Sequence, residues 1–282
     1  MSAPVHVQER QPGDNSARAR MRRRSDTIAR FPRRHERRMT LAEITAIDVG
    51  YQTAVGRVRD HNEDSLKVVR DHSLFAVADG MGGHLAGERA SALAVEVLQE
   101  QVTAIETAVD GETMHTALTE ANAAIFRESV EKPERRGMGT TMTALYLGPT
   151  AYWIGHVGDS RAWRIRNNVG EQITEDHSVV WEQMRAGLIT AEQAERHPMR
   201  NVLTRSVGNL PEVEVDVLTG GIQRGDIWVL GTDGMTQVFD QNRIAEVVAA
   251  SSNAQQAAEQ MVDIAVAEDG SDNVSVVVVH CG

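Results

Sequence analysis

One cysteine, Cys281, is all the thiol this 282-residue chain contains. No intramolecular disulfide can form, which suits a reducing compartment, and a cysteine-ligated zinc site is excluded. Long apolar runs are missing as well. Purely apolar stretches such as Val276–Val279 are far too short for a bilayer, which takes about 20 residues of helix. The N-terminus is rich in Arg but has no apolar core segment, so it does not read as a secretory signal. These absences point to a cytoplasmic protein without a transmembrane segment. Internal repeats, coiled-coil heptads and EF-hand spacing are also absent. Finally, most of the chain lacks positive charge. The formal net charge of −11 divides into +7 over residues 1–40 and −18 over the remainder. So acidic a body lacks the clustered Lys and Arg that neutralise nucleic-acid phosphates. It suits a site that collects cations.

What is present changes character near residue 40. Residues 1–40 are Arg-rich, with few apolar residues and no lasting periodicity. They are expected to form a disordered basic tail, either a solvated charge run or a tether to an acidic partner. Residues 41–282 read as a folded domain. "ITAIDVGYQTAVG" and "SLFAVADG" read as strands, and "LAGERASALAVEVLQEQV" places Ala90, Leu93, Ala94, Val97 and Leu98 at helical spacing. A second helix follows in "TMHTALTEANAAIFRESV". "GTTMTALYLG" and "AYWIGHVGDSRAWRIRN" read as a hairpin turning near Pro149, and "VEVDVL" alternates as a strand should. "DIWVLGTDG" and "NVSVVVVHC" are almost continuously apolar, as in strands covered on both faces. Two more helices, near 242–250 and 254–267, lie between them. Helices that arrive in adjacent pairs around paired strands imply an α+β fold, an antiparallel β core flanked by helices. The stretch near 175–210 has helical patches but few core-grade residues and reads as a surface insertion.

Four aspartates share one context. Asp79 ends "SLFAVAD" before Gly80, Asp159 ends "WIGHVGD", Asp233 ends "IWVLGTD" before Gly234, and Asp272 stands in "GSDN" ahead of "VSVVVV". Any one of them alone is an ordinary turn residue. Four acids gathered at the strand ends of one core would repel one another unless cations joined them. Glu63 and Asp64 complete the set. Hard oxygen donors without Cys or paired His select Mg²⁺ or Mn²⁺ over zinc. Gly80, lacking a Cβ, can turn its carbonyl to a metal. Arg59, just ahead of Glu63 and Asp64, offers a fork that matches phosphate oxygens. Two divalent ions, a bridging water and an Arg fork suit in-line phosphoryl hydrolysis.

The segments "RDHNEDS", "ADGMGGHLAGE", "MGTTMTAL", "HVGDSRAW", "LGTDGM" and "GSDNVSVVVV" occur in the order found in one family. Over roughly residues 44–280 the chain resembles the metal-dependent PPM (type 2C) Ser/Thr protein phosphatases, in particular their compact bacterial branch. The resemblance implies two antiparallel sheets between helix pairs (α-β-β-α) and hydrolysis of phosphoserine and phosphothreonine by in-line attack of a metal-bridging water or hydroxide. It implies that Asp79 bridges two Mn²⁺ or Mg²⁺ ions, that the Gly80 carbonyl binds one, and that Asp233 and Asp272 bind the other. Asp159 with Asp233 would hold a third, weaker ion; Glu63 and Asp64 would act through water, and Arg59 would clamp the phosphate. Residues 175–210 match the flap of bacterial members. The implied partners are phosphorylated proteins, including a cognate Ser/Thr kinase and its substrates, with the enzyme a signalling monomer.

Met81 stands where eukaryotic-type members carry the His proposed as general acid, and a thioether supplies no proton. His84 is expected to cap or pack at a helix start. Two other classes stay in view. A non-catalytic regulator on the same fold would tend to lose metal ligands, which are complete here. A dinucleotide site at "GMGGHLAG" is disfavoured by Asp79 before the first Gly and by the lack of Gly at position 85.

Overall fold

Two of the apolar runs of the sequence form interior strands of two stacked sheets. The computed structural model describes residues 46–83, 85–105 and 108–282. The expected basic tail, the start of the first expected strand and His84 lie outside the described residues. The elements run β1 (Ile47–Ala54), β2 (Asp64–Val69), β3 (Leu74–Met81), α1 (Leu85–Thr103), α2 (Gly111–Glu131), β4 (Gly139–Thr140), β5 (Met142–Leu147), β6 (Ala151–Val157), β7 (Arg161–Arg166) and β8 (Val169–Gln172). Then come α3 (Val179–Arg185), α4 (Ala191–Glu195), β9 (Asp216–Gly221), β10 (Ile227–Gly231), α5 (Asp233–Thr236), α6 (Gln241–Ala250), α7 (Ala254–Glu268) and β11 (Val274–Cys281).

One sheet has the order β1-β11-β10-β7-β8; the other has β2-β3-β5-β6-β9, with β4 beside the end of β3. Every pairing is antiparallel. Residue alternation explains the continuous apolar runs. In β3, Phe75 and Val77 point into the space between the sheets, while Leu74, Ala76 and Ala78 point toward α1 and α2. In β11, Val277 and Val279 face the other sheet, while Val274, Val276 and Val278 pack under α6 and α7. Both strands are thus buried on both sides, and four layers result: a helix pair, two sheets and a second helix pair.

Polar residues set the ends of these elements. Asp110 accepts from the Thr113 N–H at 2.9 Å and starts α2. Asp240 does the same for α6, accepting from Arg243 N–H at 2.8 Å. Asn253 caps α7 through the Gln256 N–H, and Asp48 of β1 accepts from the Ala254 N–H at 2.9 Å. That contact lays the start of α7 directly on β1. A Cβ on Gly50 would stand 2.2 Å from the Gln255 backbone nitrogen. Gly50→Ala is therefore expected to destabilise the protein by about 3 kcal/mol through overpacking. Urea unfolding reads this as a lowered midpoint at unchanged slope; an unmoved midpoint would show that α7 lifts off β1 without penalty.

Two expectations need correction. "AYWIGHVGDSRAWRIRN" is not one strand: it breaks at Gly158, whose φ of +111° bends the chain, and β6 and β7 belong to different sheets. The strand expected over "VEVDVL" begins three residues late, at Asp216. The single-turn helix α5 is too short to leave a periodic signal. Segment 175–210 holds α3 and α4 and is largely exposed, yet Asp176, His177, Ser178 and Val207 at its two ends are buried.

Candidate active site

A cavity of about 710 Å³ opens where the C-terminal end of β3, the β6–β7 turn, the start of α5 and the loop before β11 converge. Arg59, Glu63, Asp79, Gly80, Asp159, Asp233 and Asp272 all line it. Asp79 sits inside β3, not at its end, and its main chain is held hard. Its N–H donates to the Thr141 hydroxyl at 2.9 Å, and its carbonyl accepts from Thr141 N–H at 2.9 Å and Thr140 Oγ1 at 2.8 Å. The Thr141 hydroxyl in turn lies 2.7 Å from Ser160 Oγ, beside Asp159. Asp233 is the first residue of α5, where partial positive charge on the helix N-terminus favours a carboxylate. Asn273 staples the remaining loops. Its Oδ1 accepts from Glu63 N–H at 2.8 Å, and its Nδ2 donates to the carbonyls of Val55 and His61.

Gly80 is required for a reason other than the one its sequence suggests. Its backbone is not in the left-handed region. Instead, three main chains meet there: a Cβ would lie 2.2 Å from the Gly87 carbonyl oxygen and 2.5 Å from that of Glu63. The Glu63 carboxylate stands over the same first turn of α1, since a Cβ on Gly87 would come 2.3 Å from Glu63 Oε2. Asp64 is recessed from the cavity that the other acids line. It faces Asp79 across the β2–β3 ladder, is buried behind the cavity wall, and accepts from the Thr232 hydroxyl at 2.8 Å.

Crowded, buried acids resist ionisation. Burial, reinforced by Asp233, Asp64 and Asp159, holds the Asp79 carboxyl well above the usual range. Burial first and neighbouring charge second push Asp64 and Asp159 up to about 7, and Asp233 to about 6. One oxygen each of Asp64 and Asp233, both buried, has no hydrogen-bond partner. Among the described residues no three His, Cys, Asp or Glu side chains already form a closed ligand shell. The acids face one space without having converged on a point. Orphaned carboxylate oxygens and mutual repulsion are what an oxygen-seeking divalent cation relieves, and the donor set fits one.

Arg59 is half-exposed at the rim, its Nη2 2.7 Å from Asp272 Oδ2. That bond leaves the other guanidinium donors free to turn toward an anion in the cavity. Residues without a distinctive signal in the sequence form the support: Thr140, Thr141, Ser160, Thr232, Asn273 and the bidentate pair of Arg161 and Asp176 (2.8 and 2.7 Å). Most lie inside the quoted segments, as hydroxyls and amides next to the acids they hold.

Known proteins resolve what such a cavity belongs to. Residues 53–267 match the protein phosphatase 2C family. The chain belongs to that family. It is 36% identical over 237 residues to the serine/threonine phosphatase stp of Listeria monocytogenes, covering 82% of this chain and 94% of the relative. Among solved structures, the serine/threonine phosphatase PstP/Ppp of Mycobacterium tuberculosis is 32% identical with a TM-score of 0.77, covering 83% of this chain and 98% of that one. The catalytic domain of PstP, solved with two manganese ions, is 30% identical with a TM-score of 0.75 over 83% of this chain and 99% of that one. This protein phosphatase shares their sheet sandwich, and the family's metal dependence agrees with its acidic cavity.

Proposed function

We propose that this protein phosphatase hydrolyses phosphoserine and phosphothreonine side chains of proteins in the acidic cavity, with Mn²⁺ or Mg²⁺ as cofactor. The observation that carries this is the meeting of Asp79, Asp159, Asp233 and Asp272 with Arg59 around one opening. Asp79 and the Gly80 carbonyl would hold one ion, and Asp79, Asp233 and Asp272 a second. Asp159 with Asp233 would hold a third, weaker one, while Glu63 and the recessed Asp64 act through water. Two such ions supply, when bound, an activated water for in-line attack on phosphorus and positive charge for the phosphoryl oxygens. The protein's own work is positional. Thr140 and Thr141 fix the Asp79 main chain, Asn273 ties the Glu63 loop to that of Asp272, and Arg59 orients the phosphate.

Physiological partners on this reading are phosphorylated proteins, among them a Ser/Thr kinase and that kinase's substrates. The enzyme acts as a cytoplasmic signalling monomer with no role in binding nucleic acid. Its acidic body supports the last point, and no helix among the described residues is long and apolar enough to cross a membrane. Release of phosphate from a phosphothreonine peptide, stopped by a chelator and restored by Mn²⁺, is the test. Chelator-resistant turnover would overturn the assignment.

Arg59→Ala is expected to raise KM for p-nitrophenyl phosphate with little change in kcat, because a phosphate clamp binds ground and transition states alike. Loss of a charge-assisted hydrogen bond is worth about 1.5–3 kcal/mol, or roughly 10–150-fold in KM. Unaltered steady-state kinetics would reduce Arg59 to the partner of Asp272.

A further inference from the structure

Two buried histidines stand at the root of segment 175–205, outside the cavity, with ring centroids 4.7 Å apart. His156, on β6, faces the Glu175 carbonyl with Nε2 at 3.0 Å. A carbonyl only accepts, so Nε2 carries the proton. Burial pushes the pKa of this ring down to about 3 and keeps it neutral. The Thr143 hydroxyl lies between its Nδ1 and the Ser160 carbonyl, at 2.9 and 2.8 Å. His177 is fixed in the same tautomer by different partners. The Gly158 N–H donates to its Nδ1 at 3.0 Å, so Nε2 holds the proton and donates to Asp216 Oδ2 at 3.1 Å. Asp216, at the head of β9, also accepts from Arg205 Nη1 at 2.7 Å.

Residue 177 grips residue 158 twice, because the His177 N–H also donates to the Gly158 carbonyl at 2.8 Å. The two ends of the segment meet at the same place. Thr204 N–H donates to the His177 carbonyl at 2.8 Å, and Val179 N–H donates to that of Val202 at 2.9 Å. Gly158 is the bend between the two sheets, and the next residue is Asp159. Its φ of +111° suits glycine, and a Cβ would stand 2.6 Å from Thr141 Cβ. Both backbone polar groups of Gly158, held by His177, are thus fixed directly ahead of Asp159.

We infer that His177 is a positioning residue: its Nδ1, by holding the Gly158 amide, aims Asp159 into the cavity and couples that aim to closure of segment 177–205. The inference deepens the metal-dependent phosphatase reading and rests on it for the role of Asp159. An outer partner of a metal-binding side chain typically changes metal affinity or activity about 10–100-fold when removed.

Three variants of the full chain separate the two ring contacts. His177→Asn sets an amide oxygen near the position of Nδ1 and keeps an acceptor for Gly158. His177→Gln sets an amide nitrogen near Nε2, keeping the donor to Asp216 and losing Gly158. His177→Ala loses both. For Gln and Ala, the Gly158 amide should exchange its hydrogen faster, kcat for p-nitrophenyl phosphate should fall about 10–100-fold, and half-activation should need more Mn²⁺. KM should hold, since Arg59 is untouched. His177→Asn should keep all four quantities within about threefold of wild type, well inside that outer-partner range. His177→Gln matching His177→Asn, or kcat falling in all three variants with Gly158 still protected, would overturn the inference. A wild type inactive with Mn²⁺ sinks the phosphatase reading instead, and the Gly158 exchange, read without turnover, still judges the hydrogen bond.

Discussion

Asp79→Asn is expected to abolish Mn²⁺-dependent turnover while leaving the fold intact. The substitution removes one unit charge and almost no volume. The bonds that hold Asp79 to Thr140 and Thr141 are made by its main chain and survive. At about 4 Å and an effective dielectric near 20, one unit charge is worth about 4 kcal/mol to a monovalent ion and more to a divalent one. The loss in kcat/KM is thus about 10³-fold or greater. Asp233→Asn should behave alike, because it shares the same space and its buried Oδ1 has no other partner. The gain is in stability. Asp79 is held far from its ordinary ionisation by burial and by Asp233, Asp64 and Asp159, so the metal-free Asn variant should melt above metal-free wild type at pH 8. Calorimetry without metal and a colorimetric assay with it measure the two effects. Retained turnover in Asp79→Asn, or a lowered metal-free melting point, would contradict the assigned role.

The second large effect is a metal-induced gain in stability that grows with pH. Asp64, Asp159 and Asp233 have folded pKa values of about 7, 7 and 6, all raised above the unfolded carboxylate. Groups raised in this way contribute stability in full below the unfolded value, near 4, and lose it as pH rises through the folded values. A tenfold difference in proton affinity between folded and unfolded chain is worth about 1.4 kcal/mol for each carboxyl. The metal-free protein therefore gives up several kcal/mol between about pH 4 and 7. His156 opposes this. Its pKa falls from the ordinary 6.5 to about 3, so its stabilisation is full above 6.5 and disappears as pH drops toward 3. The imidazole is no part of the cavity, so it cancels from the difference between metal-bound and metal-free protein. That difference in melting temperature under saturating Mn²⁺ should be small at pH 5 and largest at pH 8. A difference of equal size from pH 5 to 8 would show that the acids do not bind the ion.

How much of this was legible in the residues follows from the physics of each signal. "DIWVLG" and "VSVVVV" announced doubly covered strands because both faces of β10 and β11 are buried. The helix pairs were readable from their spacing, and Asp79, Asp159, Asp233 and Asp272 from acids ending or preceding apolar runs. The reason for Gly80 was not, because it depends on Gly87 and Glu63 coming within reach in three dimensions. The break at Gly158-Asp159-Ser160 was hidden because strand-like alternation resumes in "RAWRIR", and nothing in the chain says that the two strands enter different sheets. Asp64 looked equivalent to Glu63 by proximity in the chain. Strand alternation sends neighbouring side chains to opposite faces, and Asp64 turned inward to Thr232.

The place of β11 carries a consequence for how the enzyme becomes active. This strand, from Val274 onward, is an interior strand of its sheet, between β1 and β10, and β1 begins at Ile47. Everything synthesised before it already contains Asp79, Asp159, Asp233 and Asp272, but the loop that carries Asp272 has no β11 to anchor it, and β1 lacks its partner in the sheet. Pairing across so long a stretch of chain comes late, since loop closure must precede the contacts that reward it. A nascent or prematurely ended chain therefore carries the acids and no finished centre. Phosphatase activity becomes a clock for the last step of folding, and a partly built enzyme is silent rather than indiscriminate.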